Sequence, residues 1–189
     1  MLDMILACPL PSRVLTAHSS CNVRQSWRVN VSWCRKENSR DLRLYFALPR
    51  HGVRWPESHN SASSPIRVDG LWQHTCVELF VAALDGVGYR EFNFATHGDW
   101  AAYDFVAYRQ PAERLPQIPQ PRVVTDVAGD VCLVSVELDA ACLPDDVNAK
   151  FSATVVLESS SGELSYWAAH HPGPQPNFHH RDGFVLTLN

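Results

Sequence analysis

Side chains that can bind a polar ligand occur at alternate positions of one predicted strand. In the segment 72–81 (WQHTCVELFV), alternation with period two places Trp72, His74 and Glu78 on one face, together with Cys76 and Phe80. An indole, an imidazole and a carboxylate on a single face suit a pocket that orients a polar ligand. The same arrangement is also typical of a structural ion pair between Glu78 and an arginine of a neighbouring strand.

The next predicted strand carries a second carboxylate. Alternation over 89–94 (YREFNF) puts Glu91 and Asn93 on one face and Arg90 on the other. If this strand pairs with the preceding one, Glu78 and Glu91 share a polar surface. Glycosidases divide acid and base work between two carboxylates, so the pair leaves hydrolysis open. The pair equally suits a hydrogen-bonded ligand or an arginine, which is the reading we favour.

Aromatic side chains point to the class of ligand. A third predicted strand follows the turn 97–99, and it begins with Trp100, which shares one face with Asp104. Aromatic faces stack on the C–H groups of a pyranose, while Asp, Glu, Asn and Arg side chains hold its hydroxyls. The chain has six tryptophans, more than a core of this size needs. We therefore include Trp100 among the candidate ligand-binding residues.

A metal site is the alternative that the histidines raise. Four of the nine histidines lie within the segment 166–184: His170, His171, His179 and His180. Neutral imidazoles together with Asp182 could bind zinc or iron. Their spacing matches none of the zinc motifs, and histidines of a Pro-rich loop also bond backbone carbonyls. The sequence therefore predicts no metal site and no cofactor, with a divalent metal kept as an alternative.

Composition and charge exclude several classes of protein. The 189 residues are 46% hydrophobic, so the chain is a soluble, folded domain rather than a disordered one. No run of about 18 apolar residues could span a membrane. The chain has 16 Lys and Arg against 20 Asp and Glu and no basic block, which disfavours nucleic acid as a partner. The N-terminus shows no secretion signal, and the six cysteines form no C-x-x-C pair. We expect a cytoplasmic protein with reduced thiols.

The candidate side chains must be positioned by strands, and the hydrophobic pattern of the sequence predicts such strands. Period-two alternation recurs from residue 27 to the end, whereas no window shows sustained helical spacing. The pattern predicts an all-β fold: a two-sheet antiparallel sandwich of jelly-roll or immunoglobulin-like type, with roughly nine strands and little helix. Only 138–146 looks locally helical. We expect an N-terminal extension over 1–25 and one sandwich domain over 26–189.

The chain resembles the DOMON-like proteins of bacteria, which belong to the superfamily of family 9 carbohydrate-binding modules. The resemblance rests on the segments 71–81, 89–109 and 166–188. It implies a jelly-roll sandwich that binds sugars or haem. In sugar-binding members two tryptophans enclose the ligand and a glutamate holds its hydroxyls. Trp72, Trp167 and Glu78 stand at similar positions in this chain. An arginine also contributes in those members, and the resemblance makes Arg90 the first and Arg109 the second candidate for it.

The resemblance also leaves haem open. Haem-binding DOMON domains use a Met and a His as axial ligands, and this chain has methionine only at positions 1 and 4. Ligation by two histidines is then the remaining route, with five candidates: His74, His170, His171, His179 and His180.

The sequence therefore predicts a non-enzymatic sandwich that binds a saccharide or a sugar-derived small molecule. The predicted ligand-binding residues are Trp72, His74, Glu78, Arg90, Glu91, Asn93, Trp100 and Trp167. A haem or metal protein that uses histidines is the first alternative. A protein-interaction domain is the second, because exposed tryptophans also serve interfaces.

Overall fold

Strands make up nearly all of the regular structure. The computed structural model describes residues 10–24, 26–57, 64–82, 86–144 and 149–188. Within these ranges it contains twelve strands: β1 (Ser12–Ala17), β2 (Val29–Arg35), β3 (Leu42–Pro49), β4 (Cys76–Ala82), β5 (Tyr89–Phe94), β6 (Trp100–Ala107), β7 (Gln110–Pro111), β8 (Arg122–Ala128), β9 (Val131–Leu138), β10 (Lys150–Glu158), β11 (Leu164–Ala168) and β12 (Leu186–Thr187). Three single-turn 3₁₀ helices accompany them: Leu71–Gln73, Ala140–Cys142 and Arg181–Gly183.

The strands form two antiparallel sheets that share one strand. Sheet A has the order β8-β9-β3-β2-β1, and sheet B has the order β7-β6-β5-β4-β10-β11-β1, with β12 also paired to β10. Strand β1 changes sheets along its length. Its residues 12–15 pair with β2, whereas Thr16 and Ala17 pair with β11. The predicted all-β sandwich is confirmed.

Sheet A has the alternation that a half-buried sheet requires. Along β3, the alternate side chains of Leu42, Leu44, Phe46 and Leu48 are buried, and the intervening ones are partly exposed. Strand β2 repeats the pattern with Val29, Val31 and Trp33. These side chains pack against the inner face of sheet B, where Trp33 meets Phe151 edge to face at 5.3 Å between ring centroids.

Sheet B is covered on both faces. All seven residues of β4 are buried, and so are all but the first of β10. One face packs on sheet A. The other lies under the segment 169–185, which we call the cover segment. Its Phe178 and Phe184 lie 6.3 and 6.1 Å from the ring of Phe80, between centroids. This cover leaves one part of the outer face open, and that opening is the site described below.

Strand β1 lies inside the segment 1–25 that we expected to be an extension. Its hydrogen bonds join it to both sheets, and Leu15 is buried in the core. Residues 12–17 are therefore part of the sandwich. A strand of six residues that buries so few side chains gives little periodicity in the sequence.

The local helix expected near 138–146 is a single 3₁₀ turn, Ala140–Cys142. The Asp139 carboxylate accepts a hydrogen bond from the backbone N–H of Ala141 at 2.8 Å, and Asp41 accepts one from Ala140 at 3.0 Å. Pro144 lies just beyond the turn, where a helix cannot continue. Within the described ranges, no helix is long and apolar enough to cross a membrane.

Candidate functional site

A cleft of about 720 Å³ opens on the outer face of sheet B. Its floor comes from strands β4, β5, β6, β10 and β11, and its walls come from the cover segment and from the 3₁₀ helix before β4. The described residues that line it are Asp69, Trp72, Glu78, Phe80, Glu91, Tyr103, Phe105, Arg109, Pro111, Val156, Tyr166, Gln175, Pro176, Phe178 and His179. Apolar rings and a few convergent polar groups are the usual lining of a small-molecule site.

Glu78 lies at the floor of the cleft and is 2% exposed. The pleat of β4 places it on the outer face, opposite Asn93 of β5 and Thr154 of β10. The hydroxyl of Thr154 donates to its Oε2 at 3.1 Å, and the thiol of Cys76 lies 3.5 Å from its Oε1. Neither partner is a cation, so among the described residues Glu78 does not form the structural ion pair with an arginine that the sequence left open.

Glu91 lies on the adjacent strand and reaches the same floor. It is opposite Phe80 and lies two residues before Asn93, which faces Glu78, so both carboxyls are on the same face. The side-chain amide of Asn93 donates to Glu91 Oε1 at 2.8 Å, and His179 Nε2 lies 3.6 Å from Glu91 Oε2. Asn93 does not line the cleft itself. Its contact is to the carboxyl group that does.

The two carboxyls are easily protonated. Burial, with a smaller contribution from the neighbouring Glu91, raises the pKa of Glu78 to about 8. Burial likewise raises the pKa of Glu91 to about 7. Two buried acids that share a site resist ionising together. Near neutral pH the floor therefore offers carboxyl O–H donors as well as carbonyl acceptors.

His179 is held as a neutral imidazole. Burial and the nearby Arg109 lower its pKa to about 4. The hydroxyl of Tyr89 accepts the backbone N–H of Arg109 at 3.2 Å and lies 2.8 Å from His179 Nδ1. Because the phenol oxygen accepts the N–H of Arg109, its own O–H donates to His179 Nδ1. The His179 proton then sits on Nε2, which faces Glu91.

The rim of the cleft carries an exposed indole. Trp72 belongs to the 3₁₀ helix Leu71–Gln73 and is 49% exposed, while Leu71 beside it is buried. Three residues before Trp72, the Asp69 carboxylate accepts a hydrogen bond from the Tyr103 hydroxyl. Burial, together with the bond to Asp69, raises the pKa of Tyr103. The rim thus combines one free aromatic face with an acceptor of fixed orientation.

The structure places His74 outside the cleft. The residue ends the 3₁₀ helix, and β4 begins only at Cys76, so the predicted strand 72–81 is shorter at its start. The imidazole Nδ1 lies 2.8 Å from Oε2 of Glu158, whose Oε1 accepts from Arg54 at 3.0 Å. His74 therefore belongs to a hydrogen-bonded cluster with Glu158 and Arg54 and does not line the cleft.

Trp100 and Trp167 face the other side of sheet B. They are 6% and 5% exposed, and both belong to the core between the sheets. The guanidinium of Arg67 lies 5.1 Å from the centre of the Trp100 ring. The indole N–H of Trp167 donates to the Ser165 hydroxyl at 3.0 Å. Strand parity explains the placement, because Trp100 is opposite Phe94 and Trp167 opposite Val155, both core residues.

Arg90 also points away from the cleft, into an ion pair with Asp104. Its Nε and Nη2 donate to the two carboxylate oxygens at 2.6 and 2.9 Å, and its Nη1 donates to the carbonyl of Cys142 at 2.9 Å. The second candidate, Arg109, does line the cleft. Of the eight predicted ligand-binding residues, the structure gathers Trp72, Glu78 and Glu91 around it.

The Arg90 to Asp104 pair is expected to contribute to stability alone. The substitution Asp104→Asn removes a bidentate, half-buried carboxylate and should lower the free energy of unfolding by about 1–2 kcal/mol. Urea denaturation measures this. Glu137→Gln is the control, because its carboxylate on sheet A is contacted at one oxygen only, by Arg43 at 3.3 Å and by Lys36 at 3.8 Å, in partly exposed pairs; its cost should stay below about 0.5 kcal/mol. Equal losses from both variants would contradict the expectation.

Sequence reasoning missed several residues of the lining, among them Asp69, Tyr103 and Gln175. Tyr103 could have been found, because it is directly opposite Glu91 in the hairpin of β5 and β6. Asp69 and Gln175 lie on irregular segments, where no periodicity reports which way a side chain faces.

The histidines of the metal alternative are dispersed. Only His179 lines the cleft. His171 Nε2 bonds the carbonyl of Thr16 at 2.8 Å, His180 caps the 3₁₀ helix Arg181–Gly183, and His170 is exposed. In the part of the chain that the structure describes, no three His, Cys, Asp or Glu side chains are grouped to hold a metal ion.

Comparison with solved structures places the fold. No protein-family model matches the chain, and a search of curated proteins gives no match. A candidate carbohydrate-binding protein from Bacteroides uniformis is similar over 97% of this chain and 88% of its own, with a TM-score of 0.58 and 14% identity. A family 9 carbohydrate-binding module from Caldicellulosiruptor kristjanssonii, in complex with cellotriose, is similar over 84% of this chain and 71% of its own. The TM-score there is 0.55 and the identity 11%.

The same module in complex with glucose gives a TM-score of 0.54 at 11% identity, over 84% of this chain and 73% of its own. At these identities the likeness is one of fold. The chain thus has the sandwich fold found in family 9 carbohydrate-binding modules, and its closer resemblance to DOMON-like proteins stays a prediction.

Proposed function

We propose that the cleft binds a saccharide or a sugar-derived small molecule and does not transform it. The observation that carries the proposal is the exposed ring of Trp72 at the rim, above a floor with two protonatable carboxyls. A sugar ring has an apolar C–H face and a rim of hydroxyls. A site with one free aromatic face and several fixed polar groups is complementary to both.

The polar groups of the floor suit hydroxyl ligands. A sugar hydroxyl donates one hydrogen bond and accepts others, so it needs partners of both kinds. The protonated carboxyls of Glu78 and Glu91 offer both, the Asp69 carboxylate accepts, and the His179 Nε2–H donates. Because Thr154 and Asn93 already hold the two carboxyls in place, the site orders few side chains when a ligand binds.

Protonation of the floor favours binding over hydrolysis. A retaining or inverting glycosidase needs one carboxylic acid and one ionised carboxylate as nucleophile or base. Here burial raises the pKa of both carboxyls. Over the acidic range neither Glu78 nor Glu91 therefore supplies the ionised carboxylate.

The structural neighbours support the same class of ligand. Two of the similar structures are those of a carbohydrate-binding module with glucose and with cellotriose. The cleft of this chain, at about 720 Å³, has the size of a small-molecule site. We therefore assign it to mono- or oligosaccharides rather than to a macromolecular partner.

Isothermal titration against mono- and oligosaccharides and simple sugar derivatives, glucose and cellotriose included, tests the proposal. At least one sugar should bind, and Trp72→Ala should weaken that binding by about tenfold or more, because the stacking face is lost. Tyr45→Ala is the matched control. It removes a partly exposed ring from the outer face of β3, in the other sheet, and should leave the affinity unchanged. Absence of binding across the panel, or binding that ignores Trp72, would overturn the proposal.

A further inference from the structure

Arg109 is held in the cleft by an unusual backbone. It lies in the turn between β6 and β7 with φ of 53°, in the left-handed region that glycine or asparagine normally occupies. The backbone N–H of Arg109 donates to the Tyr89 hydroxyl at 3.2 Å, which fixes the turn. A residue kept in this conformation despite its cost marks a candidate for function.

Most of the N–H donors of the Arg109 guanidinium are not engaged by described residues. Among the described residues, its contacts are one weak hydrogen bond, to Asn177 Oδ1 at 3.5 Å, and the ring of Tyr108, whose centre is 5.9 Å away. No described carboxylate lies within 4.0 Å of it, whereas Arg90 is fully engaged by Asp104. The planar fork of an arginine matches a carboxylate with two parallel hydrogen bonds.

Arg109 is also the single Lys or Arg among the described residues that line the cleft. Two of the three carboxyls in the described lining are easily protonated, because burial raises the pKa values of Glu78 and Glu91. The third, the Asp69 carboxylate, accepts the Tyr103 hydroxyl. His179, close to Arg109, has a lowered pKa and stays neutral. The lining therefore offers one guanidinium charge beside a neutral imidazole and two protonatable carboxyls.

From this geometry we infer that the ligand is a sugar bearing one carboxylate, a uronic or aldonic acid, whose carboxylate pairs with the guanidinium of Arg109. The inference rests on the proposed saccharide site and names the class of sugar that it takes. The carboxylate would lie at the Arg109 end of the cleft and the sugar ring toward Trp72. A sugar phosphate offers the same oxygen pair, but its second charge would meet no further Lys or Arg in the described lining.

Titration of matched sugar pairs tests this inference. Glucose is compared with glucuronate and gluconate, and galactose with galacturonate, at pH 6.5 and moderate salt; glucose 6-phosphate forms a third arm. In at least one pair, the acid should bind about tenfold or more tightly than the neutral sugar, which is the effect of one charge-assisted pair. The phosphate should bind no tighter than the carboxylate.

Three variants separate the charge from the fold. Arg109→Gln removes the charge but keeps a polar side chain, and it should abolish the preference for the acid, while neutral sugars bind within about threefold of wild type. Arg109→Lys keeps the positive charge but lacks the planar guanidinium that forms two parallel hydrogen bonds, so it should retain part of the preference for the acid. Arg122→Gln removes the same charge from β8, at the exposed edge of sheet A, and should change neither affinity.

The outcomes distinguish this inference from the proposal on which it rests. If neutral sugars bind in a Trp72-dependent way and no acid binds more tightly, the inference is wrong and the saccharide site stands. A preference for the phosphate, or an acid preference that survives Arg109→Gln, also overturns it. If neither member of any pair binds, the proposed function and the inference fail together.

Discussion

Replacement of Trp167 by alanine is expected to lower the free energy of unfolding by about 3–5 kcal/mol. The indole is 5% exposed and packs in the core between the sheets, and its N–H is bonded to Ser165. The truncation removes a large apolar area, leaves a cavity and deprives the Ser165 hydroxyl of its donor. Urea denaturation followed by circular dichroism, which does not depend on the lost fluorophore, measures the change.

Trp72→Ala is the natural comparison, because Trp72 is 49% exposed. Its cost to stability should stay within about 1 kcal/mol, since little apolar surface leaves the interior. The two variants thus have opposite profiles: Trp167 supports the fold, and Trp72 supports the proposed binding. A stable Trp167→Ala protein that loses only sugar affinity would show that Trp167 lies in the site and not in the core.

A second large effect is expected from pH. In the unfolded chain Glu78 and Glu91 ionise near pH 4.3, whereas burial raises their pKa in the folded chain to about 8 and about 7. Between the unfolded and folded pKa values, the folded state binds more protons than the unfolded chain. The contribution of the two carboxyls to stability is therefore greatest at low pH and is lost as the pH rises through their folded pKa values. The buried His179, with a lowered pKa, has the opposite dependence below about pH 6.5.

The cleanest window is therefore pH 6.5 to 8.5, because His179 is already neutral in the folded state and its last half proton in the unfolded chain offsets the fall by only about 0.4 kcal/mol. Over it, the free energy of unfolding should fall by about 2–3 kcal/mol. Glu78→Gln mimics the protonated acid, so most of that fall should vanish, and the variant should be more stable than wild type at pH 8.5. Urea denaturation at closely spaced pH values measures both.

Glu137→Gln is the control for the pH series, because Glu137 lies on the outer face of sheet A and is partly exposed. Its curve should run parallel to that of wild type. A wild-type protein whose stability is flat or rises between pH 6.5 and 8.5, or a Glu78→Gln curve as steep as wild type, would falsify the account of the floor as a protonated pair.

Period-two alternation correctly placed Glu78 and Glu91 on one face, because both strands are regular and their register is that of a simple hairpin. The sandwich itself was predictable for the same reason. Alternation alone does not say which face of a strand meets the core. In sheet A the polarity of the side chains identifies the core face, because the outer face is exposed to solvent and carries the polar residues. In sheet B it does not, because the cover segment buries the outer face too.

Trp100, Trp167 and Arg90 illustrate the ambiguity. Each shares a strand with cleft residues but has the opposite parity, and no contrast of polar and apolar residues marks that parity in the sequence. His74 was misplaced for another reason. The alternating pattern continues upstream of Cys76 although the backbone there turns through a 3₁₀ helix after Gly70, whose φ is 80°. The cover segment has no periodicity, so Gln175 and Phe178 could not be assigned to the cleft from the sequence.

The strand that both sheets share also sets the order of events during synthesis. Thr16 pairs with Ala168, 152 residues further along the chain. A ribosome adds about 5–20 residues per second, so β1 leaves the exit tunnel roughly 10–30 s before its partner in sheet B exists. Residues 12–15 of β1 can pair with β2 early in synthesis, but Thr16 and Ala17 stay unpaired until β11 has been synthesised. The nascent chain therefore has an unpaired strand edge that is open to edge-to-edge association during this interval.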